Sequence, residues 1–319
     1  MPDLGAARLA QVLGELWLKP LDPERFGWLR SLPGFEELPA DLWQGSADHW
    51  AARHHGVLDR EVPLYASVFL EADGHLGGAV TASAADRMAA FGVRLEPDAP
   101  AADHGGLAFL FLGDLLRWEA QARAAGDAEA AARFVDGQRA WLGGQLLYWW
   151  PDAVLALRRA GDPFYAHLGE MSLEFLSTLA DSLRPSVGSM PPIPSSPDLD
   201  DVKTGMHRIA GFLGSPASCG VYWGRKTLRE WSQQLEVPCG FGPRREVLET
   251  LLRTTGELSL GGQGLMRLMQ ASLDEWLAEL DVLAEQKAIR PWIEGRRSRF
   301  AEAAVVIQRL HEGFGETRV

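Results

Sequence analysis

With 319 residues, 46% of them hydrophobic and 23% charged, the chain is long enough for two domains and apolar enough to bury substantial cores. Its net charge of −12 is uneven, because residues 1–199 hold 15 Lys/Arg against 27 Asp/Glu and residues 200–319 hold 16 of each. An acidic first part disfavours nucleic acid and anionic membranes and suits cationic peptides, although on composition alone a solubility charge is the favoured reading.

Helical periodicity dominates, and no stretch keeps the strict alternation of a half-buried strand, so the predicted fold class is all-α. Leu4, Leu9, Val12, Leu13 and Leu16 predict a first helix. Ala40 to His55 predicts another, with Leu42, Trp43, Ala47 and Trp50 inward. Ser83 is a candidate N-cap for a helix over 84–91. A long helix starts near Asp103 and carries Leu107, Phe111, Leu115 and Trp118 on its apolar side. The next runs from Asp127 to Leu142 and meets a break at Gly143-Gly144.

Asp162-Pro163 is the clearest helix start. Asp caps well, and Pro is tolerated at the first helical position because its missing N–H is unneeded there. Phe164, Leu168, Met171, Phe175 and Leu179 follow as one stripe. Pro185 to Pro197, with six prolines or glycines and interspersed serines, predicts an extended linker. Helical spacing resumes with Val202, Met206, Ile209, Phe212 and Leu213, with Asp198 or Asp200 as cap. Further helices are predicted over 226–235, 243–258, 263–286 and 291–311.

Twelve Trp against four Tyr supply large apolar area for cores, with some left for a binding groove. Cys219 and Cys239 are the only cysteines. The N-terminus lacks a basic segment followed by an apolar one, and the run Leu107 to Leu112 is far shorter than the roughly 20 residues of a membrane helix. The expectation is a cytoplasmic protein with free thiols and no membrane insertion.

Three stretches carry a resemblance: Pro63-Leu64-Tyr65-Ala66-Ser67-Val68-Phe69-Leu70, Pro100-Ala101-Ala102-Asp103-His104, and Asp162-Pro163-Phe164-Tyr165-Ala166-His167-Leu168-Gly169-Glu170. In this order they resemble the TorD/DmsD/NarJ family of redox-enzyme maturation chaperones, whose members hold enzyme precursors and catalyse nothing. The resemblance covers residues 1–184. It implies a TorD-like helical bundle there, then the linker over 185–197, and a smaller helical accessory domain over 198–319. It also implies a leader- or client-binding site at Tyr65, Ser67, Phe69, Pro100, Asp103 and His104, with no cofactor. The partner would be a molybdoenzyme precursor or its signal peptide, and the chaperone a monomer or homodimer. The sequence departs from the family pattern at Ala99, where a Glu is usual, in the position of Pro100, and at Gly105, where a Leu is usual.

Plainer readings stand beside these. Asp103 serves as an ordinary N-cap, and Tyr65 and Phe69, four apart, serve as core packing. Phe164 and Tyr165 read as core. His49, His54 and His55 lack the i, i+4 spacing of metal-binding helices. Asp198, Asp200 and Asp201 read as caps, and Gly240-Phe241-Gly242 as a loop without the Gly-Lys-Ser/Thr of a phosphate site. Arg290, Arg296, Arg297 and Arg299 read as a solvated helix face. The competing functions are a scaffold or oligomerisation protein and a helical enzyme using His104 with Asp103.

Overall fold

A computed structural model describes residues 4–32, 34–36, 38–188, 195–201, 203–258 and 261–316, with side chains to Phe314. The described residues form helices, turns and loops, and their one strand-like feature is an isolated antiparallel bridge between Tyr65 and His104. The chain is all-α. It divides into two compact units, Met1–Ser67 with Leu76–Ser189, and Val68–His75 with Met190–Val319.

The first unit contains α1 (Leu4–Leu18), α2 (Phe26–Leu29), α3 (Ala47–His54), the start of α4 (Ala66–Leu70), α5 (Gly78–Ala89), α6 (Gly105–Ala124), α7 (Ala128–Trp141), α8 (Trp150–Ala160) and α9 (Pro163–Leu183). Helix α6 packs against both α1 and α7. Glycines let α1 and α6 approach closely: a Cβ on Gly14 would lie 2.8 Å from the Gly106 carbonyl oxygen, and one on Gly113 would lie 3.1 Å from that of Ala7. Aromatic rings fill the rest of the core. Trp150 meets Trp17, Phe109 and Trp149 at 5.5, 4.8 and 5.0 Å, and Trp50 meets Phe26 and Phe164 at 5.6 and 5.0 Å. Ten of the twelve tryptophans are buried, and Trp28 and Trp118 are half-buried, so the tryptophan excess is mainly core.

Several local expectations shift. The helix predicted over Ala40–His55 splits into a 3-10 turn at Ala40–Trp43 and α3, because Gly45 turns the chain at φ 118° and Ser46 then caps α3 through the His49 N–H. Helix α5 begins at Gly78 after Gly77 at φ 101°, which leaves Ser83 inside it as an acceptor for Gln145. Gly143-Gly144 does not break the chain, since a π-type turn over Leu142–Leu146 continues α7. Asp162 caps α9 as predicted, accepting from the Phe164 and Tyr165 N–H groups, and it also forms a two-toothed pair with Arg53 at 2.7 and 2.9 Å. Phe164 and Tyr165 are core, each 1% exposed.

The second unit holds Val68–His75 and α10 (Met206–Leu213), α11 (Pro216–Cys219), α12 (Arg225–Gln234), α13 (Arg244–Gly256), α14 (Gly261–Leu283), α15 (Arg290–Glu294) and α16 (Arg297–Glu316). Helix α14 packs along α16, and α10 on α13. Of the predicted linker, residues 189–194 lie outside the described residues, as does Val202; 184–188 and 195–198 have no regular structure. Gly205, not an aspartate, precedes α10, because Asp198 and Asp201 turn back onto the Asp200 and Lys203 N–H groups while Asp200 pairs with Arg309. The predicted C-terminal helix is interrupted at Gly295-Arg296. Its basic cluster is a solvated face only in part: Arg290 and Arg297 are exposed, the first donating to the Ala284 carbonyl and the second paired with Asp281 at 2.6 Å, but Arg296 and Arg299 are 1% and 2% exposed. Cys219 is buried and Cys239 half-buried, both free thiols.

Candidate functional site

In the first unit the first two motifs meet through the backbone. The Ala66 N–H donates to the Asp103 carbonyl at 3.0 Å and the Gly105 N–H to the Leu64 carbonyl at 2.7 Å, which sets Tyr65 opposite His104. Their rings then pack edge to face with centroids 4.8 Å apart, and both residues stay partly exposed. His104 is the N-cap of α6, its Nδ1 accepting from the Gly106 N–H at 3.0 Å. That bond assigns the remaining ring proton to Nε2. Among the described residues neither this N–H nor the Tyr65 hydroxyl has a partner, so one partly exposed aromatic pair carries two unpaired polar tips.

Asp103 does different work from the cap predicted for it. At 2% exposure its carboxylate accepts from the Ser67 N–H at 2.8 Å and from the Thr81 hydroxyl at 2.7 Å. It therefore ties the start of α4 to α5 and to the loop before α6. Both oxygens are engaged, and no hydrogen bond joins it to the His104 ring, which is not the geometry of an acid–base pair. Burial pushes the His104 pKa down to about 4, against the opposing pull of Asp103 and Asp59 and with help from His54. The imidazole is neutral at pH 7. Burial, then Asp103 and Asp59, raise the Tyr65 phenol, so it keeps its proton.

Residues 27–154 match the family model of the nitrate reductase delta subunit. The matched stretch is 128 of the 319 residues, and what it shows is a likeness to the members of that family. No curated protein and no solved structure gives a match. At family level these are chaperones of molybdoenzyme maturation, not catalysts. All six predicted site residues fall within the matched stretch, and the Asp162–Glu170 motif falls after it.

Within the delta-type stretch the five predicted residues of the first unit separate into a surface and its support. Tyr65, His104 and Pro100 are partly exposed, whereas Ser67, Phe69 and Asp103 are buried. The Ser67 hydroxyl accepts from the Gly77 N–H at 3.3 Å. Phe69 belongs to the second unit and stacks on Tyr222 at 5.3 Å. Gly105, where the family usually has Leu, has a local cause: a Cβ there would lie 2.8 Å from Trp150 and 3.2 Å from Trp149. The bulk of that tryptophan pair fills the space a side chain would need.

Thr81, Asp59 and His54 were not legible as parts of this site. Thr81 is an ordinary helix residue in sequence, 22 positions from its partner Asp103. His54 stands out in the sequence only as one of three histidines without metal spacing, yet it is buried and helps to lower the His104 pKa. Among the described residues no group of three or more His, Cys, Asp or Glu is placed to hold a metal ion. No described helix is long and apolar enough to cross a membrane.

Proposed function

We propose that this protein is a cytoplasmic chaperone that binds the leader or apo form of a molybdenum-containing oxidoreductase subunit while its cofactor is loaded and before export. The observation that carries the reading is the partly exposed Tyr65–His104 pair, held by backbone bonds on both sides and left with a hydroxyl and an Nε2–H that have no partner among the described residues. Two donors beside aromatic faces suit a peptide segment, whose carbonyls need donors and whose side chains need apolar cover. The family match over residues 27–154 supports the class of client, and the −12 charge of residues 1–199 supports a basic leader. Asp103, Ser67 and Thr81 shape the surface from beneath. The second unit is an accessory to it.

Isothermal titration of the full chain with a twin-arginine leader peptide tests this. The expected result is binding at micromolar or tighter affinity, weakened about tenfold or more by Tyr65→Ala with the helical circular dichroism unchanged. Affinity for the leader that is untouched by both Tyr65→Ala and His104→Ala would show that the peptide goes elsewhere.

A further inference from the structure

The first unit also carries an open groove of about 1050 Å³ lined by none of those residues. Ala6 and Leu9 of α1, Leu116 of α6, and Met171, Phe175 and Leu179 of α9 give it apolar walls. Its opening follows from how two helices meet. Trp17 near the end of α1 donates to the Ser172 hydroxyl on α9 at 3.1 Å and packs on Tyr165, closing that end. Towards the start of α1 the wall is Gly5 and Ala6, too small to fill the gap opposite the last turns of α9. The volume is at the upper edge of the roughly 300–1,000 Å³ of small-molecule sites, and the apolar lining runs along α9 from Met171 to Leu183.

The charges at its rim point one way. Between Pro163 and Leu183, α9 has Glu170, Glu174 and Asp181 and no Lys or Arg. Glu170 is paired with Arg158, but among the described residues no partner meets the carboxylate of Glu174 in the groove lining or that of Asp181, seven residues on and so on the same helix face just beyond the lining. The basic group in the lining, Arg123, is tied to Glu119 at 2.6 Å, and His167 is held on the Gly34 carbonyl at 2.8 Å. Arg139 of α7, which reaches the end of α9, is taken by the Leu183 carbonyl and Asp136. Of the ionisable side chains that line the groove, Glu174 is the one left without a partner among the described residues.

We propose that this groove seats an apolar segment of the client polypeptide, with a basic residue beside it paired to Glu174 and Asp181. The inference rests on the chaperone reading and adds a second place of contact, made by different residues from Tyr65 and His104. Apolar burial along α9 supplies affinity, and the rim carboxylates select a cation and fix the direction of the segment.

The test uses the full chain and two labelled synthetic peptides, one with two arginines before an alanine–leucine run, the other with glutamates in place of the arginines. Fluorescence anisotropy should show the arginine peptide binding tightly and the glutamate peptide binding poorly. Thr178→Trp, at an exposed position on the groove wall, should weaken the arginine peptide about tenfold or more by filling the space. Glu174→Lys, on the surface and harmless to folding, should weaken the arginine peptide and strengthen the glutamate one. If both variants bind the arginine peptide as the wild type does while Tyr65→Ala does not, the groove inference is overturned and the chaperone reading stands. If the wild type binds neither peptide, both fall. Equal affinity for the two peptides would remove the role given to Glu174.

Discussion

Asp103 and His104 are neighbours in sequence with opposite problems to solve. A buried carboxylate is costly unless its oxygens accept hydrogen bonds, and those of Asp103 accept from Ser67 and Thr81. Bonds to a charged acceptor contribute about 1.5–3 kcal/mol each, enough to make this a stable anchor between segments far apart in sequence. His104 avoids the cost by staying neutral. Its folded pKa of about 4 lies below the roughly 6.5 of an unfolded histidine, so between those values the unfolded chain takes up a proton that the fold refuses. Stability present at pH 7 is therefore lost as pH falls from about 6.5 towards 4, and His54, also lowered by burial, adds to the loss. Thermal melts should show the midpoint dropping through that window, and His104→Asn, which keeps a capping acceptor, should drop less steeply. Identical pH profiles for wild type and variant would mean that the imidazole is not the titrating group.

At the scale of elements, the close seam between α1 and α6 decides how accurately His104 is presented, since α6 begins at Gly105 beside it. A Cβ on Gly106 would stand 2.5 Å from Leu18 and 2.8 Å from the Gly14 carbonyl oxygen. Gly to Ala in a helix gains at most about 1 kcal/mol of propensity, less in the first turn, while overpacking against backbone costs about 1–3 kcal/mol. The clash wins. Gly106→Ala should lower the unfolding free energy by about 1–2 kcal/mol net, whereas Gly56→Ala, whose Cβ would meet nothing within 4 Å, should be neutral or slightly stabilising. Chemical denaturation of both variants checks the contrast; equal effects would mean the seam relaxes freely.

For the molecule as a whole, the net acidity confined to residues 1–199 gives the proposal of a basic client a salt-dependent consequence. Between about 0.01 and 0.15 M salt the Debye length shrinks from roughly 30 to 8 Å, so long-range attraction should fade while apolar contacts persist. The association rate of a twin-arginine peptide, followed by stopped-flow fluorescence, should fall about tenfold or more over that range, with the dissociation rate changing far less. A salt-independent association rate would leave the charge as a matter of solubility alone.

Much of this protein was legible in its residues taken in order. Apolar spacing gave the all-α class, Asp162-Pro163 gave the start of α9, and the ordered motifs around Tyr65 and His104 pointed to the family that residues 27–154 match. Other features depend on which segments meet in space. The stripe from Phe164 to Leu179 reads as one core face, yet its first residues pack on Trp50 and Trp17 while Met171, Phe175 and Leu179 border the groove. Asp103 passes for a cap until Ser67 and Thr81 are brought to it, and Arg296 and Arg299 look like surface charges until α14 and α16 pack. The physical reason is range. Periodicity and capping act between residues a few positions apart, whereas burial and long-range hydrogen bonds exist only once the chain has closed on itself.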